Sequence, residues 1–305
     1  MALSSQSRQT TPSGAQLIAS SLQTLRLLYR AELSAMVALS ALAGYLFAGG
    51  TWQGPALLVT AGAGLLAAGC SALNQWQEQD LDLRMRRTRH RPLPQAVLSP
   101  ATALLLAALT IAAGTLLLTA LPDSRPLLLG TLAVIWYNAV YTPLKRRTPF
   151  AALPGAVCGA LPPLMGWAAT GSVLWTQKPL ILAGALFVWQ IPHTWLLLCR
   201  YRDDLQQSGL PDLFKRIPTT RLLQINNCWI GALLACYLLF PTFGYIDSPT
   251  LVIVFLVGLG LLFLSILKGK VNTDLTARAC FLFHRVNVSM ALLLTILILD
   301  RLVVG

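Results

Sequence analysis

Charge is scarce in this chain. Only 11% of its 305 residues are Asp, Glu, Lys or Arg, where a water-soluble domain carries about a quarter, so a soluble globular fold is excluded. Acidic residues are scarcest, 11 against 23 Lys and Arg, for a net charge of +12. In a soluble protein that excess would suggest nucleic acid. Here the basic residues fall in short clusters between apolar runs, with no aromatic RNA- or DNA-binding motif beside them, and a nucleic-acid partner is excluded. The six cysteines (Cys70, Cys158, Cys199, Cys228, Cys236, Cys280) form no CxxC pair or regular spacing and lie mostly in apolar segments. That excludes a disulfide frame or thiolate metal site and leaves them as small hydrophobes. Residues 1 to 32 are rich in Ser, Thr and Gln and lack an apolar h-region, so no cleavable signal peptide is expected.

Apolar residues, by contrast, make up 55% of the chain and the mean hydropathy is +0.64, which is the composition of a polytopic membrane protein. A helix that crosses a hydrocarbon core of ~30 Å needs about 20 residues. Nine stretches qualify, near 33–50, 55–73, 101–121, 127–142, 151–171, 179–199, 222–243, 250–267 and 281–300. Strands of a membrane barrel alternate apolar and polar residues, and "ATALLLAALTIAAGTLLLTAL" does not. The expected fold is therefore an all-α polytopic membrane helix bundle of about nine helices. It reads as one transmembrane domain, 33–305, behind a cytoplasmic segment, 1–32.

Orientation follows from Lys and Arg in alternate connections. Twenty fall in the N-terminal segment and the loops 74–100, 143–150, 200–221 and 268–285, leaving Arg125, Lys178 and Arg301 for the other side. The N-terminus and these loops are expected in the cytoplasm and the C-terminus outside, as in a bacterial inner membrane. Glu32, Glu78, Asp80, Asp82, Asp203, Asp204, Asp212 and Asp274 share the basic side. Carboxylates are not needed for topology, so that face uses both signs for something else.

The first long loop reads "NQWQEQDLDLRMRRTRHRPLP" from Asn74. If the second span continues as a helix, Asn74, Glu78 and Asp82 stack at i, i+4 and i+8 while Asp80 turns away. Like charges at i, i+4 cost a helix roughly 0.2–0.5 kcal/mol, so the row wants a cation. Mg²⁺, which takes one or two carboxylates and completes its shell with phosphate oxygens and water, fits. Arg84, Arg86, Arg87, Arg89 and Arg91 follow in the same loop, and bases for phosphate beside acids for metal are what a diphosphate site requires. The bland alternative is a solvated acidic turn with orienting arginines.

In the second loop, "YNAVYTPLKRRTPF", Tyr141 and Lys145 stand four apart, and Pro143 between them is expected to fix a turn. Arg146 and Arg147 follow and serve equally as topological anchors. In the third, His193 follows Pro192 inside the sixth span, and Arg200, Arg202, Asp203 and Asp204 lie at its cytoplasmic end. A polar group within a span is a functional candidate by default, although a lone histidine is often an interhelical hydrogen bonder. His90 and His284 read as surface residues.

These segments resemble the intramembrane prenyltransferases of the UbiA superfamily over approximately residues 25–300, and within it the branch that farnesylates heme. The row Asn74, Glu78, Asp82 is similar to the superfamily's first metal and diphosphate motif, and Arg87-Thr88 with Arg91-Pro92-Leu93 to its continuation in that branch. "YTPLKRRTPF" from Tyr141, "GALPPLMGWAATG" from Gly159 and "WQIPHTW" from Trp189 resemble branch segments in the same order, and Asp203/Asp204 sit where the second acidic motif lies. The sequence departs at Glu78 (Asp in many members), at "YRAEL" from Tyr29 in place of a Lys-Pro, at Leu205 in place of Tyr, and at "GLPDLF" in place of a Pro-Met segment.

The resemblance implies transfer of farnesyl from farnesyl diphosphate to a vinyl group of heme b, giving heme O, in contact with membrane lipid. It implies Mg²⁺ held by Asn74, Glu78, Asp82 and Asp203/Asp204, a diphosphate assisted by Lys145, Tyr141, Arg87 and Arg91, and further substrate contacts from Arg146, Arg147, Arg202 and His193. Heme A synthase or terminal oxidase assembly proteins are the implied protein partners. Prenylation of a hydroxybenzoate or other quinone precursor is the alternative within the class. A transporter would need paired repeats and midplane charges, and an assembly factor would not need two acidic rows.

Overall fold

The computed structural model describes residues 14–268 and 275–304. The expectations for residues 1–13, for Lys270 and Asp274 in the last basic loop, and for Gly305 lie outside the described residues.

Among the described residues all regular structure is helical. The chain runs α1 Gly14–Leu28, α2 Ala31–Phe47, α3 Gly54–Gln77, α4 Gln79–Arg84, α5 Pro100–Thr119 and α6 Arg125–Ile135, then a π-turn Trp136–Tyr141 leading into α7 Thr142–Lys145. It continues through α8 Ala152–Ala168, α9 Gln177–Arg200, α10 Arg202–Ser208, a 3₁₀ turn Leu213–Lys215, α11 Thr219–Thr242, α12 Pro249–Lys268 and α13 Leu275–Val304. Local signals set several starts. Ser99 accepts the Thr102 N–H at 3.0 Å and Pro100 follows at the first helical position, a cap and a residue whose missing N–H costs nothing there.

Among the described residues seven helices are long and apolar enough to cross a membrane, eight if α1 and α2, bent by 56° at Tyr29–Arg30, count as one broken span. The expectation of about nine is thus approximate. The segment at 151–171 is helical only over the 17 residues of α8, and Pro162 and Pro163 inside it withhold two backbone donors.

The end of α3 follows backbone hydrogen bonding more than hydropathy: the helix runs on to Gln77. The second span does not continue unbroken through Asp82. Glu78 leaves helical geometry at φ −113°, ψ 15°, and α4 restarts with the Leu81 and Asp82 N–H groups both donating to Glu78 O. A turn at Pro143 is also not found, since α6, the π-turn and α7 form one helical segment. A proline inside an α-helix clashes with the carbonyl four residues back, and the wider π-turn ahead of it relieves that crowding.

In the bundle, α3 packs on α5 and α2, α2 on α8 and α13, α8 on α6 and α9, and α9 on α11 and α13, with α12 outside against α13. Without a hydrophobic force between helices in lipid, contact depends on small residues that let backbones approach. The α2–α8 seam does this with Gly44 against the Pro163 carbonyl and Gly166 against the Ala41 carbonyl, where an added Cβ would lie 2.0 and 1.8 Å from the oxygen. The outward faces of α5 and α12 carry exposed Leu105, Leu116, Leu261 and Phe263, the surface lipid requires. All six cysteines are unpaired.

Candidate active site

The kinked junction of α3 and α4 turns three polar residues inward. Asn74, Glu78 and Asp82 are 2, 7 and 2% exposed, while the Asp80 side chain is 47% exposed. Burial in an apolar bundle requires each carboxylate to be compensated, and each is. Lys145 Nζ donates to Glu78 Oε2 at 2.7 Å, the same oxygen that accepts from Asn74 Nδ2 at 2.9 Å. Arg91 Nη1 donates to both oxygens of Asp82, at 2.9 and 2.8 Å. Asn74 also donates to Thr142 Oγ1 at 3.0 Å, which fixes α7 against α3.

The second acidic pair divides in two. Asp204 is buried and its Oδ2 accepts the Arg87 backbone N–H at 2.9 Å, whereas Asp203 is exposed. This bond joins the loop after α4 to α10, which packs on α4. The Arg87 guanidinium lies 5.2 Å over the Tyr201 ring. Burial holds it below its ordinary pKa, and the like charges of Arg91 and Arg30 act the same way, opposed by Tyr201 and Asp82.

The π-turn presents Tyr137 and Tyr141 side by side, ring centroids 5.6 Å apart, with Lys145 Nζ 5.0 Å over Tyr141. Gln77 Nε2 donates to Asn138 O within the turn at 3.1 Å, a carbonyl freed from regular α-helical bonding. Gln77 Oε1 and Asn138 Oδ1 are buried and accept no hydrogen bond.

Other sequence-predicted residues lie apart from this cluster. Arg146 makes a two-pronged bond to Asp80 at 3.0 and 2.7 Å, which lowers the Asp80 pKa and raises that of Arg146. Arg147 is exposed. Arg202 is exposed too, over the Phe214 ring at 5.0 Å and bonded to Thr219. His193 Nδ1 meets Asn287 Oδ1 of α13 at 2.7 Å, the interhelical bond that a lone histidine often makes. His90 and His284 are exposed.

Sequence reasoning missed Asn138, Thr142, Tyr137, Asn287 and Arg30. Arg30 stands in the left-handed region at φ 46°, between α1 and α2, with Nη1 3.5 Å from Tyr137 Oη. The rule that singled out His193, a polar group inside a span, applies equally to Asn138 and Asn287. Among the described residues no three His, Cys, Asp or Glu side chains come together as a metal cage.

Residues 37–287 match the UbiA prenyltransferase family. The protoheme IX farnesyltransferase of Geobacter sulfurreducens is 44% identical over 220 residues, 71% of this chain and 80% of that protein. That of Oleidesulfovibrio alaskensis is 37% identical over 284 residues, 90% of this chain and 95% of that protein. Among solved structures, an apo UbiA homolog from Aeropyrum pernix K1 superposes with a TM-score of 0.66 at 17% identity, covering 86% of this chain and 98% of that one. A UbiA homolog from Archaeoglobus fulgidus bound to DMAPP and Mg²⁺ gives 0.62 at 15% identity, over 91% and 98%. Those likenesses show the fold.

Proposed function

The chain belongs to the UbiA prenyltransferase family, and from that premise we propose that it transfers the farnesyl group of farnesyl diphosphate to a vinyl group of heme b (protoheme IX), making heme O. The acceptor rests on the protoheme IX farnesyltransferases that the chain matches over most of its length. The chemistry rests on one observation: two buried carboxylates, Glu78 and Asp82, each held by a base, Lys145 from α7 and Arg91 from the loop after α4.

The bases that compensate those carboxylates, Lys145 and Arg91 with Arg87 beside them, are the groups that bind a diphosphate. The carboxylates they compensate are hard oxygen donors of the kind Mg²⁺ takes. Both ligands enter with charges opposite to the groups they meet, so the site stays balanced loaded or empty. The donor set fits a hydrated Mg²⁺: Asn74, Glu78, Asp82 and Asp204 would hold it, and phosphate oxygens and water complete the shell, as the lack of an all-protein cage requires. Bound there, Mg²⁺ supplies a Lewis acid for the leaving diphosphate.

Lys145, Arg87 and Arg91 then stabilise negative charge as the C1–O bond of farnesyl diphosphate breaks. The paired faces of Tyr137 and Tyr141 lie within the same cluster and stabilise the allylic cation. C1 bonds to the terminal vinyl carbon of heme, water adds to the inner carbon with loss of a proton, and diphosphate leaves. His193 contacts the heme. Arg146, Arg147 and Arg202, placed on the exposed rim, steer the anionic substrates.

The excess of Lys and Arg puts this face and residues 1–32 in the cytoplasm, with the C-terminus outside, in a bacterial inner membrane. Residues 33–305 form the one catalytic domain. Heme A synthase and terminal oxidase assembly proteins, which use the product, are the protein partners this reading implies. The test is to express the protein in cells that lack heme O synthesis and extract the hemes. Heme O should accumulate. Unchanged heme b together with a prenylated hydroxybenzoate would overturn the acceptor and leave the reaction class.

A further inference from the structure

The diphosphate machinery uses no residue of the α9–α13 seam, yet half-buried polar groups meet there. His193 on α9 is flanked by the Trp189 ring at 4.6 Å and the Phe283 ring at 5.0 Å, and its Nδ1 meets Asn287 Oδ1 of α13 at 2.7 Å. The indole Nε1–H of Trp189 is buried without a hydrogen-bond partner. An unmade bond is costly in an apolar bundle, and this one stands on the ring packed against His193. An unpartnered donor beside an oriented imidazole marks a place where a ligand brings an acceptor.

The Asn287 bond decides what the imidazole can do. A neutral imidazole carries its proton on one nitrogen and a lone pair on the other. An amide oxygen at Nδ1 accepts a hydrogen bond, so the proton sits on Nδ1 and Nε2 keeps its lone pair. That is the form that coordinates a metal, and a bond of this kind to the far nitrogen is what orients ligating histidines.

We propose that Asn287 is the positioning residue of the acceptor site: it holds His193 in the Nε2-basic tautomer, which ligates the iron of the bound heme substrate. This rests on heme as the acceptor. It adds an α9–α13 half to the site, separate from the α3, α7 and α10 half that takes the diphosphate. The two halves belong to different substrates and should respond to different substitutions.

The experiment titrates ferric protoheme into the purified full-length protein in detergent and follows the Soret band. Farnesyl diphosphate binding is measured in parallel as the control for a folded site. Wild type should show a histidine-ligated spectrum, which His193→Ala abolishes. Asn287→Leu should give the same spectral change and weaken protoheme binding about 10–100-fold, the usual effect of removing a partner that orients a ligand, while farnesyl diphosphate binding holds. Asn287→Asp, which keeps an acceptor at Nδ1, should retain the ligated spectrum.

A wild-type spectrum and affinity in Asn287→Leu would overturn the proposal, as would loss of ligation in a folded Asn287→Asp. A wild-type spectrum in His193→Ala would overturn it through the histidine itself. The proposed function is judged separately, by heme O formation in cells: a protein that makes heme O without His193 ligation defeats only this inference.

Discussion

The backbone N–H of Arg87 donates to Asp204 Oδ2 at 2.9 Å across 117 residues of sequence. One bond thus ties the two acidic loops together, and it does so with Asp204 and not with its neighbour Asp203. Adjacent residues on a helix face about 100° apart, so only one of the pair can turn inward.

The first prediction follows from that asymmetry. Asp204→Asn should lower turnover about 100-fold or more, the scale of losing one group that stabilises transition-state charge. Asp203→Asn, on the exposed face, should stay within a few-fold. Initial rates with farnesyl diphosphate and protoheme in membranes would measure both, and equal losses would mean that α10 turns on substrate binding.

A second prediction concerns the Glu78–Lys145 pair. Glu78→Gln leaves the half-buried Lys145 beside a neutral amide, and since stranding one member of a fully buried pair costs about 3–5 kcal/mol, the loss here should approach the lower end of that range. Glu78→Gln with Lys145→Met removes both charges and should recover most of the thermal stability in detergent while turnover stays lost. A double variant as unstable as the single one would show that the pair is not what holds α7 against α3.

The row on α3 and α4 supports a third. Asp82→Asn should abolish turnover, because Arg91 then faces no carboxylate and Mg²⁺ loses a donor. Asp80→Asn breaks only an exposed pair with Arg146, worth about 0–1 kcal/mol, and should leave the rate within a few-fold. If the two lose activity equally, the damage lies in helix α4 and not in ligand binding.

Metal dependence gives a fourth. Treatment with EDTA should stop turnover and weaken farnesyl diphosphate binding, and added Mg²⁺ should restore both, while the protoheme spectrum stays unchanged. Turnover that persists after thorough chelation would remove Mg²⁺ from the mechanism.

The last is topological. Reporters fused after Asp82, Lys145 and Asp204 should read as cytoplasmic, and one at the C-terminus as outside. Since seven or eight helices pass as spans on length and hydropathy, a cytoplasmic C-terminus would mean that a span is miscounted, and an outside reading after Asp204 would show that α8, with its 17 residues, does not cross.

By itself the sequence determined the class of fold, because the hydropathy of a 20-residue run is a local sum and a bilayer demands little else. It also determined which face is rich in charge, and that Asn74, Glu78 and Asp82 share a side, since helical spacing survives even the kink at Glu78. What only the tertiary structure decided is who pairs with whom. Lys145 is 67 residues from Glu78, and Asn287 is 94 from His193. No local pattern encodes such partners, because they depend on which helices become neighbours. The π-turn escaped for a related reason: Pro143 reads locally as a break, and its helical accommodation depends on Gln77 and Asn74 from another helix taking up the freed Asn138 carbonyl and Thr142. Arg30 escaped because its place follows from the bend between α1 and α2, held where Gln75 of α3 donates to the Leu27 and Leu28 carbonyls.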